Sequence, residues 1–203
     1  MIGKLAGAAI AALTLGVAAA DAAVITVTPG QANLQPGDSV SVSIDISGLT
    51  AGGAPSLGTF DLDLVYDPSI LSFQSAAFGD QLDILGLGSL QSADGGVAGT
   101  VNLFELSFDL ASDLDALQAD AFTLATLTFS ATATGLSSLM VSLLALGDSD
   151  GNPLSASVRN ASVAVSNASP VPLPGAAWLM LAGLFWLGMV SRRRFAAAVD
   201  VSP

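Results

Sequence analysis

Residues 58–71 read GTFDLDLVYDPSIL, and the spacing of apolar side chains in this stretch decides the fold class. Apolar and acidic residues alternate in the order Phe60, Asp61, Leu62, Asp63 and Leu64. Successive side chains of a β-strand point to opposite faces, so this alternation predicts a strand with one buried face and one wet face. The Tyr66-Asp67-Pro68 sequence that follows predicts a turn, because Asp67 can accept hydrogen bonds from the next residues and Pro68 presets φ.

The same period of two recurs between residues 24 and 168, and it predicts an all-β domain. Residues 39–47 (SVSVSIDIS) alternate without a break. In residues 104–110 we expect one face to be buried and the other wet. The buried set is Phe104, Leu106, Phe108 and Leu110, and the wet set is Glu105, Ser107 and Asp109.

Two later segments break the simple alternation. Residues 139–146 are almost wholly apolar, which predicts a strand buried on both faces. Val158 and Val163 fall on opposite parities, which predicts a bulge around Arg159-Asn160. Only residues 112–120 have a helical pattern. With Gly-, Pro- and Asp-rich turns between eight to ten short strands, the sequence predicts an antiparallel β-sandwich, specifically a jelly roll.

The composition excludes most catalytic chemistry. The 203 residues contain no Cys and no His, which excludes disulfides, thiolate nucleophiles, a His general base and Cys/His zinc sites. Only carboxylate pairs remain for catalysis, and the candidates are Asp61 with Asp63 and Glu105 with Asp109. Pairs with this spacing are common on solvent-exposed strand faces, so they are weak evidence for catalysis. A sugar-cleaving groove also needs aromatic residues that stack on the sugar, and residues 24–168 contain one Tyr and no Trp. We therefore expect no enzymatic activity.

The charge of the domain excludes one class of partner. Residues 24–168 carry fifteen acidic side chains and a single basic one, Arg159, for a net charge of −14. Nucleic-acid binding depends on Lys and Arg contacts to phosphates, so we expect no nucleic-acid partner. The excess of carboxylates favours solubility. It also makes calcium a candidate ligand, because calcium is bound by carboxylate oxygens.

Asp148, Asp150 and Asn152 place oxygen ligands at alternate positions, as the start of a calcium loop does. An EF-hand loop has Gly at its sixth position and a carboxylate at its twelfth, where this chain has Pro153 and Arg159. The segment is therefore not an EF-hand. It is a calcium candidate, with an Asx-rich hairpin turn as the alternative, and no other cofactor is expected.

Residues 1–22 have the pattern of a secretory signal peptide. Lys4 precedes an apolar run over residues 5–17, and small residues follow it. Cleavage is expected after Ala20 or Ala22. The alternative is a membrane anchor, but the apolar run is shorter than the ~20 residues that a membrane span needs.

The C-terminal segment has the pattern of a transmembrane helix. Residues 173–190 carry no charge, and a helix of that length extends about 27 Å, close to the ~30 Å hydrocarbon core. Arg192, Arg193 and Arg194 follow directly. By the positive-inside rule, these arginines and the tail 195–203 stay in the cytoplasm, and residues before Pro170 lie on the far side. The alternative is a buried core helix.

The run Val171-Pro172-Leu173-Pro174, the apolar helix after it and the cluster Arg192-Arg193-Arg194 together resemble the PEP-CTERM sorting signal. Pro172 and Pro174 match the two prolines of that motif, and Leu173 replaces its usual Glu. The resemblance, over residues 169–194, implies an exported bacterial protein cleaved near the motif by an exosortase. The alternative is a plain linker before a membrane anchor.

Residues 24–168 resemble a cohesin domain. Residues 35–40 (QPGDSV) are similar to the cohesin G-D-x-V opening, and residues 58–71 are similar to the strand that ends in Y-D-P-x-x-L. Residues 124–131 (LATLTFSA) resemble its core strand, and residues 148–154 (DSDGNPL) resemble a turn of cohesin-like proteins with the same tail. The resemblance implies a jelly-roll sandwich, related to carbohydrate-binding modules, that binds a dockerin-like protein through a sheet face.

These observations predict an exported, non-enzymatic protein of the cell surface or extracellular matrix. Two classes of ligand remain open. A sheet face either contacts a protein partner, as the cohesin resemblance implies, or binds extracellular polysaccharide. A third possibility is a membrane-anchored spacer without a specific ligand.

Overall fold

The structure, a computed structural model, describes residues 23–167, 179–180 and 184–186. The chain divides into two units, Met1–Asn167 and Ala168–Pro203. In the first unit the elements follow in this order: β1 (Ala23–Pro29), β2 (Asn33–Leu34), β3 (Ser39–Ser47), β4 (Leu57–Val65), β5 (Leu71–Phe78), β6 (Ser89–Asp94), β7 (Thr100–Ser107), α1 (Ala111–Leu117), β8 (Ala121–Ala131), β9 (Gly135–Asp148), β10 (Ala156–Arg159) and β11 (Ala161–Val165).

Two sheets form a sandwich, which confirms the predicted all-β class. The first has five strands in the order β10-β1-β3-β8-β5, and the second has six in the order β2-β11-β9-β4-β7-β6. Most neighbours are antiparallel, but β1 pairs with β10 and β2 pairs with β11 in parallel. The expected purely antiparallel sandwich is therefore corrected at these two sheet edges.

The core lies between the two sheets and is continuous within residues 23–167. Val40, Val42, Ile44 and Ile46 of β3 are buried, and they face Phe60, Leu62 and Leu64 of β4, as the alternation in each strand requires. Phe129 of β8 is fully buried, with its ring centroid 5.0 Å from that of Tyr66 and 5.8 Å from that of Phe73. Both sheets and the whole of this cluster belong to residues 23–167, so this segment has the core it needs to fold by itself.

The Tyr66-Asp67-Pro68 turn has the predicted geometry. Asp67 Oδ1 accepts hydrogen bonds from the Ser69 amide at 2.9 Å and from Ser69 Oγ at 2.6 Å. The Asp67 carbonyl also accepts from the amides of Ile70 and Leu71. The hydrogen bonds from Ser69 lower the pKa of Asp67. The structural role predicted for this residue is confirmed.

The predicted facing of residues 104–110 is wrong. Glu105 is only 1% exposed, whereas Phe108 and Leu110 are exposed and Leu106 is 38% exposed. The pairing with β4 sets this orientation, because Glu105 lies opposite Phe60 and Leu103 lies opposite Leu62, both of which point into the core. Residues 100–110 carry apolar side chains at odd positions first and at even positions later, so local periodicity could not decide between the two orientations.

Strand β9 is not buried on both faces, which corrects a second expectation. Leu139, Val141 and Leu146 point inward, whereas Met140 and Leu144 are 47% and 57% exposed. A register shift between Asp61 and Leu62 of β4 leaves Leu144 as an extra residue in β9. An apolar run thus supplies the core and also an exposed surface.

The predicted bulge at Arg159-Asn160 is a change of sheet. Strand β10 pairs with β1 in the first sheet, and β11 pairs with β9 in the second. Asn160 is the single residue between them, and its Oδ1 accepts a hydrogen bond from the Val141 amide at 2.9 Å. The opposite parities of Val158 and Val163 arise because the two residues belong to different sheets.

Helix α1 confirms the short predicted helix, with its bounds shifted, and a buried glutamine attaches its end to the second sheet. Gln118, the C-cap residue, is 2% exposed. Its Oε1 accepts from the Leu57 amide at 2.6 Å, and its Nε2 donates to the carbonyls of Leu57 and Gln81, each at 2.9 Å. The side chain therefore pairs with β4 as a neighbouring strand would.

In the second unit, residues 179–180 and 184–186 are helical. None of the helices among the described residues is long and apolar enough to cross a membrane. The predicted signal peptide, residues 1–22, lies outside the described residues, as do most of the predicted span 173–190 and the tail 195–203.

Candidate functional site

The candidate site is the solvent-facing side of β6, β7, β4 and β9, hereafter the outer face. Residues directly opposite one another in paired strands share a face, so the strand registers identify its members. They include Leu90, Ser92 and Asp94 on β6, Thr100, Asn102, Phe104 and Leu106 on β7, Thr59, Asp61, Asp63 and Val65 on β4, and Met140, Ser142 and Ala145 on β9. The bulged residue Leu144 adds a further exposed side chain.

Two carboxylates lie near the middle of the outer face. Asn102 Nδ2 donates hydrogen bonds to Asp61 Oδ1 at 2.8 Å and to Asp63 Oδ1 at 2.9 Å. The amide therefore holds both side chains in place without neutralising either charge. The only basic residue in the segment 23–167 is Arg159, which lies on β10 in the other sheet. The pair thus presents uncompensated negative charge to solvent.

Apolar side chains flank this acidic pair on both sides. Leu90 is 52% exposed and Leu106 lies opposite it on β7. Met140 and Leu144 flank the pair on β9, and Phe104 lies directly opposite Asp61. Exposed apolar side chains around a few polar groups are typical of a protein interaction surface.

A shallow depression of about 500 Å³ borders the outer face where β9 runs into the turn after it. It is lined by Thr59, Pro153, Leu154 and the β9 residues 143–147, with Gly151 of the turn. The Cβ of any residue replacing Gly147 would lie 2.9 Å from Thr59 Cγ2, so a larger residue there would displace the Thr59 side chain, which lines the depression.

Neither candidate catalytic pair is arranged as an acid and a base over a cleft. Asp61 and Asp63 share Asn102 on an open sheet surface. Glu105 faces the interior, where its Oε1 accepts from Ser89 Oγ at 2.7 Å and from Gln91 Nε2 at 2.8 Å. Burial raises the pKa of Glu105, the hydrogen bonds from Ser89 and Gln91 lower it, and Asp83 raises it further, so the net result lies above the ordinary value.

Replacing Glu105 with glutamine should stabilise the domain at about pH 7, because glutamine keeps the Oε1 acceptor for Ser89 and Gln91 without placing a negative charge in the interior. The pKa of Glu105 is higher in the folded state than in the unfolded state, so its ionisation destabilises the fold as pH rises above the ordinary value of 4.5. Below that pH both states of the wild type are protonated, and the difference between the two proteins should shrink. Urea denaturation across this pH range measures it.

The control for this prediction is Asp150→Asn, which removes the same charge from an exposed side chain. It should reproduce only the general effect of lower net charge. A Glu105→Gln protein less stable than the wild type at neutral pH would contradict the assignment of a buried, destabilising carboxylate.

The structure brings the three calcium candidates together in the turn after β9. Asp148 Oδ1 accepts from the amides of Asp150 and Asn152, at 3.0 and 2.7 Å, and Asn152 Nδ2 also contacts both Asp148 oxygens. Burial works to raise the pKa of Asp148, but the hydrogen bonds from Asn152, Asp150 and Gly151 outweigh it and lower the pKa. Within the described residues no group of three or more acidic side chains is placed to hold a metal. Calcium binding by these residues remains a prediction.

The solvent-facing side of the five-stranded sheet is different in chemistry, since hydroxyl side chains cover it. Its exposed or half-buried hydroxyl residues, read from the strand registers, include Thr26, Thr28, Ser39, Ser41, Ser43, Ser72, Ser75, Thr123, Thr126, Thr128 and Ser130, and Arg159 also lies on this face. The only carboxylate that the registers of the described strands place on this face is Asp45, whose oxygens accept hydrogen bonds from Ser43 Oγ and Thr123 Oγ1. The two faces of the sandwich therefore offer different kinds of contact.

The sequence had singled out Asp61 and Asp63 but had missed Asn102 and the exposed apolar residues around them. Asn102 becomes recognisable only through its position opposite Asp63 in the β4–β7 pairing. The sorting-signal residues, Val171, Pro172, Leu173, Pro174, Arg192, Arg193 and Arg194, lie outside the described residues.

The described residues form a two-sheet β-sandwich whose outer face carries both acidic and exposed apolar side chains. The cohesin-domain family model matches residues 25–165. The chain therefore belongs to the cohesin family. No curated protein matches it at a significant level.

Solved structures agree with this membership at the level of the fold. The seventh ScaB type I cohesin of Pseudobacteroides cellulosolvens is 20% identical, with a TM-score of 0.58 over 74% of this chain and 96% of that one. The sixth cohesin of the Acetivibrio cellulolyticus scaffoldin B, solved with a dockerin, is 21% identical, with a TM-score of 0.58 over 71% and 99%. A non-cellulosomal cohesin of Archaeoglobus fulgidus is 18% identical, with a TM-score of 0.54 over 72% and 92%.

Proposed function

We propose that this chain is a non-catalytic binding protein whose cohesin domain captures a protein partner through the outer face. The observation that carries the proposal is the acidic pair Asp61 and Asp63, held by Asn102 and flanked by exposed Leu106, Met140 and other apolar side chains. Several solved cohesins were crystallised with dockerins, which supports a dockerin-like module as the partner.

The chemistry of the outer face defines the partner further. Desolvated carboxylates need cationic partners, and this domain supplies none near Asp61 and Asp63. The partner therefore contributes Lys or Arg at the centre of the contact and apolar side chains toward Met140 and Leu144. Charge attraction of this kind speeds association and weakens as salt is added.

The test is capture of secreted proteins on immobilised residues 23–167. The double variant Met140→Asp/Leu144→Asp places two charges on the outer face and should reduce recovery of the partner at least about tenfold, since buried apolar contacts dominate such interfaces. The matched control, Ser41→Asp/Ser75→Asp, adds two charges to exposed positions of the other sheet and should leave recovery unchanged. Equal recovery by both variants would place the contact elsewhere.

The second candidate ligand is extracellular polysaccharide, and the hydroxyl-covered side of the five-stranded sheet favours it. Ser and Thr hydroxyls both donate and accept hydrogen bonds and so match a polyhydroxylated polymer. In affinity electrophoresis through the native exopolysaccharide, this candidate predicts retardation that the Ser41→Asp/Ser75→Asp variant loses and the Met140→Asp/Leu144→Asp variant keeps. Unchanged mobility of the wild-type domain counts against polysaccharide binding, and a domain that binds neither ligand would be a membrane-anchored spacer.

The proposed route to the cell surface uses both ends of the chain. Export through the signal peptide 1–22 is followed by membrane anchoring through residues 173–190, with Arg192–Arg194 on the cytoplasmic side. An exosortase then cleaves near Val171-Pro172-Leu173-Pro174 and releases the domain to the surface or matrix. Mass spectrometry of the mature protein tests this route, and a C-terminus intact at Pro203 would contradict it.

A further inference from the structure

The two sheets present four edge strands, and three of them carry features that hinder pairing with another chain. Strand β2 is two residues long, and β10 has four residues and carries Arg159. Strand β5 has a register shift between Phe73 and Ser75. Short length, charge and bulges are the usual protections of sheet edges.

Strand β6 lacks these protections. Its six residues pair with β7 without a register shift, and they include no Pro, Lys or Arg. Five of the six are exposed, and the single charged residue, Asp94, lies at the end of the strand. Among the edges of the described sheets, β6 is therefore the one that can accept a further strand.

The pairing of β6 with β7 determines which backbone amides and carbonyls of β6 point to β7 and which point to the open edge. The Phe108 amide donates to the Gly88 carbonyl at 3.3 Å, and this pair continues the register in which Leu90 lies opposite Leu106. Backbone groups alternate between the two sides of an antiparallel strand. Leu90, Ser92 and Asp94 therefore direct their amides and carbonyls to β7, and the backbone groups of Ser89, Gln91 and Ala93 point to the open edge.

We propose that a second copy of this chain pairs with β6 in antiparallel orientation, about a two-fold axis at Gln91. In this register Gln91 lies opposite its counterpart, and Ser89 lies opposite the Ala93 position of the other copy. All three residues direct their backbone groups outward, so the two strands form six hydrogen bonds. The two six-stranded sheets become one sheet of twelve strands.

The side chains are compatible with this register. Leu90 lies opposite the Ser92 position of the other copy, so the exposed leucine of each copy packs at the junction instead of facing water. Asp94 lies opposite the Gly88 position, so no two acidic residues face one another directly. The net charge of −14 per domain still opposes association, and the pairing should therefore strengthen as salt is added.

Sedimentation equilibrium of residues 23–167 tests the proposal. In about 1 M NaCl, where the Debye length is about 3 Å, the apparent mass should double, and dilution of the salt should favour the monomer. A monomer at every salt concentration would overturn the proposal.

The variant Ala93→Pro removes one outward amide from each copy. Because that amide faces away from β7, a proline at this edge position is compatible with the monomer. The variant should dimerise at least about tenfold more weakly, while Ala93→Val, which keeps the amide, should behave as the wild type. Circular dichroism checks that both variants are folded, and an unchanged dimer of folded Ala93→Pro would overturn the proposed interface.

Cysteine cross-linking tests the register itself, since the chain contains no native Cys. Positions 90 and 92 of opposite copies form a non-hydrogen-bonded pair with Cα atoms about 4.5 Å apart, within disulfide range. A mixture of Leu90→Cys and Ser92→Cys proteins should therefore cross-link on oxidation. Either protein alone should not, because identical positions lie diagonally, about 7–8 Å apart. Absence of cross-linking in the mixture, or equal cross-linking in either protein alone, would overturn the register, whether or not Ala93→Pro folds.

Discussion

Replacing Gln118 with alanine should lower the free energy of unfolding by about 3–5 kcal/mol, because two buried backbone groups and one half-buried group lose their partner. These groups are the amide and carbonyl of Leu57 and the carbonyl of Gln81. Each unsatisfied buried group costs about 1–3 kcal/mol, and water that enters the space left by the side chain recovers part of this cost. Urea denaturation of residues 23–167 measures the change.

The control for Gln118 is Gln74→Ala on β5. Gln74 is exposed and donates only to Ser72, so its loss should change stability by no more than about 0.5 kcal/mol. A loss of less than about 1 kcal/mol at Gln118 would show that α1 contributes little to holding the start of β4.

Replacing Phe129 with alanine should have an effect of similar size, about 3–5 kcal/mol, through the cavity that it leaves. Phe129 is fully buried and packs edge-on against the rings of Tyr66 and Phe73, so it joins the turn after β4 to β5 and β8. The loss includes these ring contacts in addition to the buried area.

The matched control is Phe108→Ala, which removes the same side chain from a position that is 55% exposed. It should cost less than about 1 kcal/mol. Comparable losses at the two positions would mean that the aromatic cluster is not the centre of the core.

The sequence predicted those parts of the fold that depend on local pattern. Alternation located β3 and β4, and the turn chemistry of Asp67 was assigned before any contact was known. For strand β7 the sequence predicted the wrong buried face. Apolar residues occur there at both odd and even positions, and only the pairing with β4 determines which of the two sets points into the core. Val158 and Val163 lie on opposite alternations of the strand pattern, and this predicted an irregularity between them. A bulge and a change of sheet give the same local pattern, and the structure has a change of sheet.

Only part of the candidate site could be predicted from the sequence, because strand pairing brings its residues together and the local pattern does not reveal that pairing. Asp61 and Asp63 were evident as neighbours on one strand face, whereas Asn102 lies 39 residues beyond Asp63 in the sequence and meets it only through the sheet register. Met140 and Leu144 were expected in the core because their segment is apolar throughout. The structure shows that the side chains of such a segment can be divided between the core and an exposed surface.

The scarcity of basic residues has a consequence for how the domain meets its surroundings. From residue 23 to residue 167 the chain contains no lysine, and Arg159 is its only arginine. Trypsin-like proteases, which cut after lysine or arginine, find a single target bond in this segment, and that bond follows a residue engaged in a sheet. Amine-directed reagents find no side chain there to modify. A domain of this composition should therefore resist trypsin-like cleavage and side-chain amine modification.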